Sequence, residues 1–166
     1  MSLRPILTWP DSRLSTVCAP IDAITPDVKT LAADMLETMY DAPGRGLAAP
    51  QVGVLQRIFV MDVAWKDGPP EPVICINPQV VAQSEVHEIN AEGCLSIPGV
   101  SVDVSRPAEV RMTWTDIDGT RHDETLTGFA AICAQHELDH LDGVVTLDRI
   151  GGAQRDEILA QVKAQI

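Results

Sequence analysis

Between Thr127 and Gly143, apolar and polar positions recur with the period of a helix. Phe129, Ile132, Cys133, His136 and His140 fall at i, i+3, i+4, i+7 and i+11, which predicts one inward-facing stripe. Thr127 is placed to cap the start of this helix, and Gly143 to stop it after Leu141 and Asp142. A second helix is predicted from Thr25-Pro26-Asp27, an N-cap followed by proline at the first helical position, to about Tyr40. Val28, Leu31, Met35, Leu36 and Met39 mark its buried face, and Pro43-Gly44 forbids continuation. A short terminal helix carrying Ile158, Leu159 and Val162 follows Gly151-Gly152.

Strand-like segments lie between these helices. Arg57–Val63 and Val73–Ile76 are two, separated by a polar, proline-rich loop at Trp65–Pro72. Asn77-Pro78 predicts a turn, with more strand at Val80-Val81 and Val86–Ile89. Glu109–Ile117 alternates, with Val110, Met112 and Trp114 on one side and Arg111, Thr113 and Thr115 on the other. Asp118-Gly119 closes it as a hairpin onto Arg121–Leu126. A short turn is expected at Asp11–Leu14, and Gly44–Gly53 reads as a small-residue loop that lets backbone approach a ligand or a strand closely. Without repeats or a dividing linker, the pattern predicts one α+β domain over 1–166, with short antiparallel strands around a central helix.

Composition narrows the function classes. The 166 residues carry a net charge of −12 with no offsetting basic run, which argues against broad binding of nucleic acid or anionic membranes. The first ten residues are broken by Pro5 and Pro10 and do not form a signal peptide, and no run approaches the ~20 apolar residues of a membrane span. Cys18, Cys75, Cys94 and Cys133 are scattered without a C-x-x-C pair, so a reducing, cytoplasmic setting is expected rather than a disulfide framework.

The candidate chemistry sits on the central helix. Gln135–Leu141 contains His-Glu-x-x-His. Residues four apart share a helical face, so His136 and His140 can send two imidazoles to one metal ion, while Glu137 reaches a water beside it. Burying two imidazoles and a carboxylate together is costly unless they share a partner. A catalytic metal generally keeps three protein ligands and one open position. A His-Glu-x-x-His-x-x-Gly-x-x-His extension fails because Thr146 stands at the last position. Glu157 lies on what reads as a solvated helix face, and His87 and His122 lie in polar strands. Cys94, among the small residues of Glu92–Gly99, is the stronger candidate, and a thiolate with two imidazoles suits Fe2+ or Zn2+. The remaining cysteines fit a structural role as small hydrophobes. Asp139 has two readings, orienting a ligand or capping a surface.

With these stretches in hand, the chain resembles the peptide deformylase family. Gly44–Gln51 matches that family's Gly-x-Gly-Leu-Ala-Ala-x-Gln, Glu92–Ser96 its Glu-Gly-Cys-Leu-Ser, and Gln135–Leu141 its Gln-His-Glu-x-Asp-His-Leu, in the family's order. The resemblance implies an α+β fold with antiparallel sheets around the His-Glu helix. It also implies hydrolysis of the N-terminal formyl group of formyl-methionyl peptides by water activated at a metal. Cys94, His136 and His140 would hold one divalent metal, natively Fe2+ and on isolation Zn2+ or Ni2+. Glu137 would act as general acid/base, with the Gln51 amide and the Leu95 backbone N–H as oxyanion donors. Gly44, Arg45, Gly46, Glu92, Gly93, Phe129, Ile132 and Cys133 would form the substrate cleft. The implied partners are formylated nascent peptides and, transiently, the ribosome, although a chain ending at Ile166 without a long basic tail argues against docking through that end.

Two positions depart from the family pattern. Arg45 replaces a small aliphatic residue, where a long cation narrows the cleft or pairs with a substrate carboxylate, and Ser101 stands where many members carry arginine. The expectation is altered substrate preference with the chemistry intact. The competing readings are a general metallopeptidase, a substrate-shifted or non-catalytic relative, and a Cys-His thiol hydrolase that leaves Glu137 without a role.

Overall fold

The computed structural model describes residues 2–165, so Met1 and Ile166 of the expected domain lie outside the described residues. Among the described residues three α-helices, α1 (Pro26–Asp41), α2 (Gly128–Leu141) and α3 (Gly152–Lys163), pack with seven strands. These are β1 (Gly46–Ala48), β2 (Ile58–Met61), β3 (Val73–Gln83), β4 (His87–Cys94), β5 (Ile97–Pro107), β6 (Glu109–Thr115) and β7 (Arg121–Thr127). One antiparallel sheet has the order β1-β2-β3-β6-β7, and β4 pairs with β5 as a separate ribbon. This is the expected α+β arrangement. Among the described residues no helix is long and apolar enough to cross a membrane, and all four cysteines are free thiols.

α2 lies between the sheet and the ribbon. Thr127 caps it in extended backbone, yet its side chain makes no capping hydrogen bond. Gly143, just past the end, has φ +75, and an added Cβ there would sit 2.9 Å from the Ser15 carbonyl, so glycine is required on both counts. The single-stripe expectation is too narrow. Ala131, Cys133, Ala134, Gln135, Asp139 and Leu141 are buried together with His136, Glu137 and His140, which covers almost the whole circumference. One face meets Phe59, Met112 and Trp114 of the sheet, while the other carries polar chemistry toward the ribbon. Phe129, predicted to face inward, is 48% exposed because it belongs to the first turn, which overhangs the cleft described below.

α1 follows its local signals closely. Thr25 Oγ1 accepts the Val28 N–H at 3.3 Å, Pro26 begins the helix, and Val28, Leu31, Met35 and Met39 are buried against Leu47, Ile58, Val60 and Ile76, with Leu36 half-buried. The terminal helix packs Val162 against Leu14, Ile97, Val145 and Leu147.

Three strand expectations change. Asn77-Pro78 does not end a strand. It forms a bulge inside β3, with Asn77 at φ +50 and its side-chain amide paired to Ile21 through bonds of 2.8 and 2.7 Å. Gly44–Gly53 contains β1 and a 3-10 turn at Ala49–Val52. β5 was not anticipated, although Val102 and Val104 alternate inward with exposed Ser101, Asp103 and Ser105.

The N-terminal segment is strapped to α1 by Asp34, whose carboxylate accepts the Ser2 N–H at 2.7 Å and the Arg4 Nε–H at 2.9 Å. The bond from Ser2, opposed by burial and aided by Arg4, holds the Asp34 carboxyl below its ordinary value of 3.8. A depressed carboxylate stabilises the folded state above that value and stops doing so as pH falls through its folded pKa. Asp34→Asn is therefore expected to cost about 1–2 kcal/mol at pH 7. In urea titrations the gap from the parent should close below about pH 4; a gap unchanged down to pH 2 contradicts this account.

Candidate metal centre and active site

β4 brings Cys94 to successive turns of α2 so that Cys94, His136 and His140 offer ligand atoms all within 4.8 Å of one another. Cys94 Sγ is 3.4 Å from His140 Nε2, and the two imidazole rings are 5.0 Å apart at 70°. The other histidines and Glu157 are not part of this cluster. His87 is exposed beside the Glu85 carbonyl, and Glu157 is exposed on α3. His122 is half-buried, stacked on Trp114 at 5.1 Å and 2.7 Å from Asp116.

The donor set fits a divalent cation. Burial alone would lower the pKa of His136, but the neighbouring Glu137, Cys94 and Glu92 outweigh it and raise that pKa well above the ordinary value. Positive charge is therefore stabilised at this spot, whether it arrives as a proton or as a metal. Burial, reinforced by His136 and Arg106, pushes His140 well below the ordinary value and leaves the neutral imidazole that ligation requires. Three protein ligands of the thiolate and imidazole type leave a further position open for water or substrate.

A buried ionic chain supports the ligands. His136 Nδ1 lies 2.9 Å from Glu92 Oε1; a carboxylate only accepts, so Nδ1 carries the proton and Nε2 is left to the metal. Arg106 grips Glu92 through two bonds of 2.7 and 3.0 Å and reaches Asp139 at 2.9 Å. Arg149 closes the chain on Asp139 with bonds of 3.0 and 2.6 Å. Burial opposes ionisation of Glu92, but the bonds from His136 and Arg106 prevail and hold its carboxyl below the ordinary value. Asp139 is thus no surface cap: it is buried and acts through Arg106. The sequence reading missed Arg106, whose only signal is its inward phase after Val102 and Val104 on β5.

The remaining groups converge on the same point. Glu137 is 4% exposed, its Oε1 has no hydrogen-bond partner, and burial pushes its carboxyl up to about 7. β1 passes so close that a Cβ on Gly46 would stand 2.6 Å from Glu137 Oε2 and 2.9 Å from Cys133 Sγ. Gln51 is buried, and its orientation is fixed. Oε1 accepts the Ala48 N–H at 2.9 Å, while Nε2 donates to Ser96 at 3.0 Å and faces Cys94 Sγ at 3.8 Å. Leu95 sits in the two-residue turn between β4 and β5.

These groups open onto a cleft of about 570 Å3. Gly44, Arg45 and Gly46 line one side, Glu92 and Gly93 another, and Phe129, Ile132 and Cys133 the helical side, so every residue expected in the cleft lies there. Lys66 joins them from the Trp65–Pro72 loop and was not anticipated. Ser101 is exposed on β5, one residue past the cleft-lining Val100.

A His-Glu-x-x-His helix completed by a strand cysteine in an α+β fold defines a class of metal-dependent hydrolase. Residues 3–156 match the polypeptide deformylase family, and the chain belongs to it. It is 46% identical over 159 residues to a peptide deformylase of Afipia carboxidovorans, covering 96% of this chain and 93% of that one. With a Bradyrhizobium diazoefficiens peptide deformylase it shares 47% over 163 residues, covering 96% and 94%. The crystal structure of a Legionella pneumophila peptide deformylase superposes with a TM-score of 0.92 at 35% identity, over 99% of this chain and 95% of that one. An Ehrlichia chaffeensis peptide deformylase in complex with actinonin gives 0.92 at 37% identity, over 99% and 98%.

The ionic chain generates a prediction. Arg106→Leu leaves Glu92 buried without its guanidinium partner and Asp139 with Arg149 alone, and is expected to destabilise the fold by about 3–5 kcal/mol. It should also weaken metal retention about 10–100-fold. Urea denaturation and metal titration read the two effects, and a variant within 1 kcal/mol of the parent by the same criterion would contradict the role assigned to Arg106.

Proposed function

We propose that the protein hydrolyses the N-terminal formamide of formyl-methionyl peptides, with Cys94, His136 and His140 holding one divalent metal. The observation that carries this reading is Glu137: a buried carboxylate beside the triad, with one oxygen unpartnered and a pKa lifted to about 7. When bound, the cation would supply Lewis acidity, bringing the pKa of a water down toward neutrality and polarising the formyl oxygen.

The chain's own groups do the rest. Glu137 accepts the proton of the attacking water and returns it to the peptide nitrogen as the C–N bond breaks, giving formate and a free amine. A carboxyl poised near neutrality suits both halves of that transfer. Gln51 Nε2, turned toward the site because Ala48 holds Oε1, donates to the oxyanion together with the Leu95 backbone N–H. One such donor contributes about 2.7–4 kcal/mol to transition-state stabilisation. Leu95 and Ile132 give the cleft apolar walls that accept the methionine side chain.

Fe2+ is the proposed native ion, replaced by Zn2+ or Ni2+ on isolation, since a thiolate with two imidazoles accommodates all three. The proposed substrates are nascent chains in the cytoplasm, met through transient contact with the ribosome. A general metallopeptidase fits less well, because Glu157, the later-helix ligand such enzymes use, is exposed away from the triad. A thiol hydrolase would waste the Glu137 carboxylate.

Glu137→Gln is expected to keep the metal content of the parent and to lower kcat on formyl-Met-Ala-Ser about 10²–10⁴-fold. Chelation should abolish parent activity and anaerobic Fe2+ restore it. Parent-like turnover by Glu137→Gln, or chelator-resistant activity, would sink this mechanism, and equal cleavage of unformylated peptides would favour the metallopeptidase.

A further inference from the structure

Arg45 is placed unlike the other arginines that have acidic neighbours. Arg4, Arg13, Arg57, Arg106, Arg111 and Arg149 each hold a carboxylate within 2.9 Å. The carboxylate in ion-pair range of Arg45, that of Asp67, is 3.9 Å from Nη2 on a side chain that is 84% exposed. At that distance and exposure, solvent screens the pair and a competing anion displaces it readily. Arg45 is nevertheless held in place. Its side chain is only 32% exposed, its Cζ lies 5.2 Å from the centroid of the Phe129 ring, and its Nε is buried without a hydrogen-bond partner. A guanidinium stacked on an aromatic face keeps the edge of its fork free for a carboxylate.

Its location gives that free edge a purpose. Arg45 stands between Gly44 and Gly46, the residue packed on Glu137, and all three line the cleft. A second cation reaches the same rim. Trp65 Nε1 donates to the Gly44 carbonyl at 2.9 Å, which draws the following Lys66 to the cleft with its Nζ 5.7 Å from the Trp65 ring. The carboxylates of the cleft are Glu92, taken by Arg106 and His136, and Glu137, buried on its floor. In a chain of net charge −12, two side-chain cations, Arg45 and Lys66, thus stand together at the opening to the site.

Resting on the deformylase reading, we propose that Arg45, assisted by Lys66, makes the cleft selective for formyl-methionyl peptides carrying Asp or Glu in the two residues after methionine. With the formyl group beside Glu137 and the methionine side chain against the apolar wall, the following residues run out along the rim on which both cations stand. The acidic side chain replaces Asp67 on the Arg45 fork as a two-pronged, charge-assisted hydrogen bond. The contact is made on binding and does not touch the reacting atoms, so it acts on KM.

The test uses the metal-loaded protein and C-terminally amidated formyl-Met-X-Ser and formyl-Met-Ala-X peptides with X as Glu, Gln or Lys, amidation removing the terminal carboxylate. At low salt, one series or both should show Glu favoured over Gln by about three- to fivefold in kcat/KM, and Lys disfavoured. The difference should lie in KM and shrink in 0.5 M NaCl. Arg45→Gln should remove the Glu–Gln difference, and Arg45→Lys, which keeps the charge without the fork, should restore part of it. Equal rates for Glu and Gln in both series of the parent, or a preference that survives Arg45→Gln, overturns the inference. Turnover of the Gln peptides by the parent separates the two levels of argument: if it is absent the deformylase reading fails, and if it is present without acid preference only the role of Arg45 fails.

Discussion

The structure depends on one guanidinium held between two carboxylates. Arg106 of β5 joins Glu92 of β4 to Asp139 of α2, and Glu92 in turn holds His136. This is how Cys94 comes to face a pair of histidines far along the chain. Each of these ions gives up several kcal/mol of hydration on burial, and the mutual attraction does little more than offset that loss. What the arrangement supplies is register. Glu92 and Cys94 are two apart on β4 and share a face, so a slip of one residue would turn both away from α2 together. The irregularity in the β4–β5 pairing between Glu92 and Cys94 adjusts the local aim of the sulfur without breaking that coupling.

The same economy appears on the other side of α2. Ala131 and Ala134 are small enough to sit buried in the layer beneath the sheet, and Gly46 lets β1 approach until backbone meets the Glu137 carboxylate. Such close approach excludes water, and the excluded water is what raises the Glu137 pKa. Packing and proton transfer are therefore set by one contact. Any side chain larger than hydrogen at position 46 would disturb both.

Local signals fixed α1, through the Thr25 cap and Pro26, and the end of α2, through Gly143, because such residues act on their immediate neighbours, and the three short motifs located the site. What escaped the sequence was long-range. Asn77-Pro78 carries turn chemistry and becomes a bulge only because the distant Ile21 backbone occupies the Asn77 amide. β5 was hidden because Arg106 occupies an inward position where alternation calls for an apolar residue, and its justification lies in Glu92 and Asp139. Asp139 was undecidable for the same reason, since its link to the ligands runs through Arg106, 33 residues away. Phe129 kept the right helical phase, but phase alone does not reveal that the first turn overhangs an open cleft.

Charge balance explains why this cluster favours a divalent ion over a monovalent one. With Cys94 as a thiolate ligand and Glu137 in its proton-accepting form, the groups at the site comprise four anions (Cys94, Glu92, Glu137 and Asp139) and two cations (Arg106 and Arg149). Two negative charges remain, gathered around two imidazoles in a region with little water. A proton on His136 removes only one of them, which accords with the strong upward push on that group. His140 is driven the opposite way by burial, by His136 and by Arg106, so a second proton is not accepted there. A single ion of charge two meets the whole deficit while both rings stay neutral, and it places that charge where the sulfur and the two nitrogens already converge.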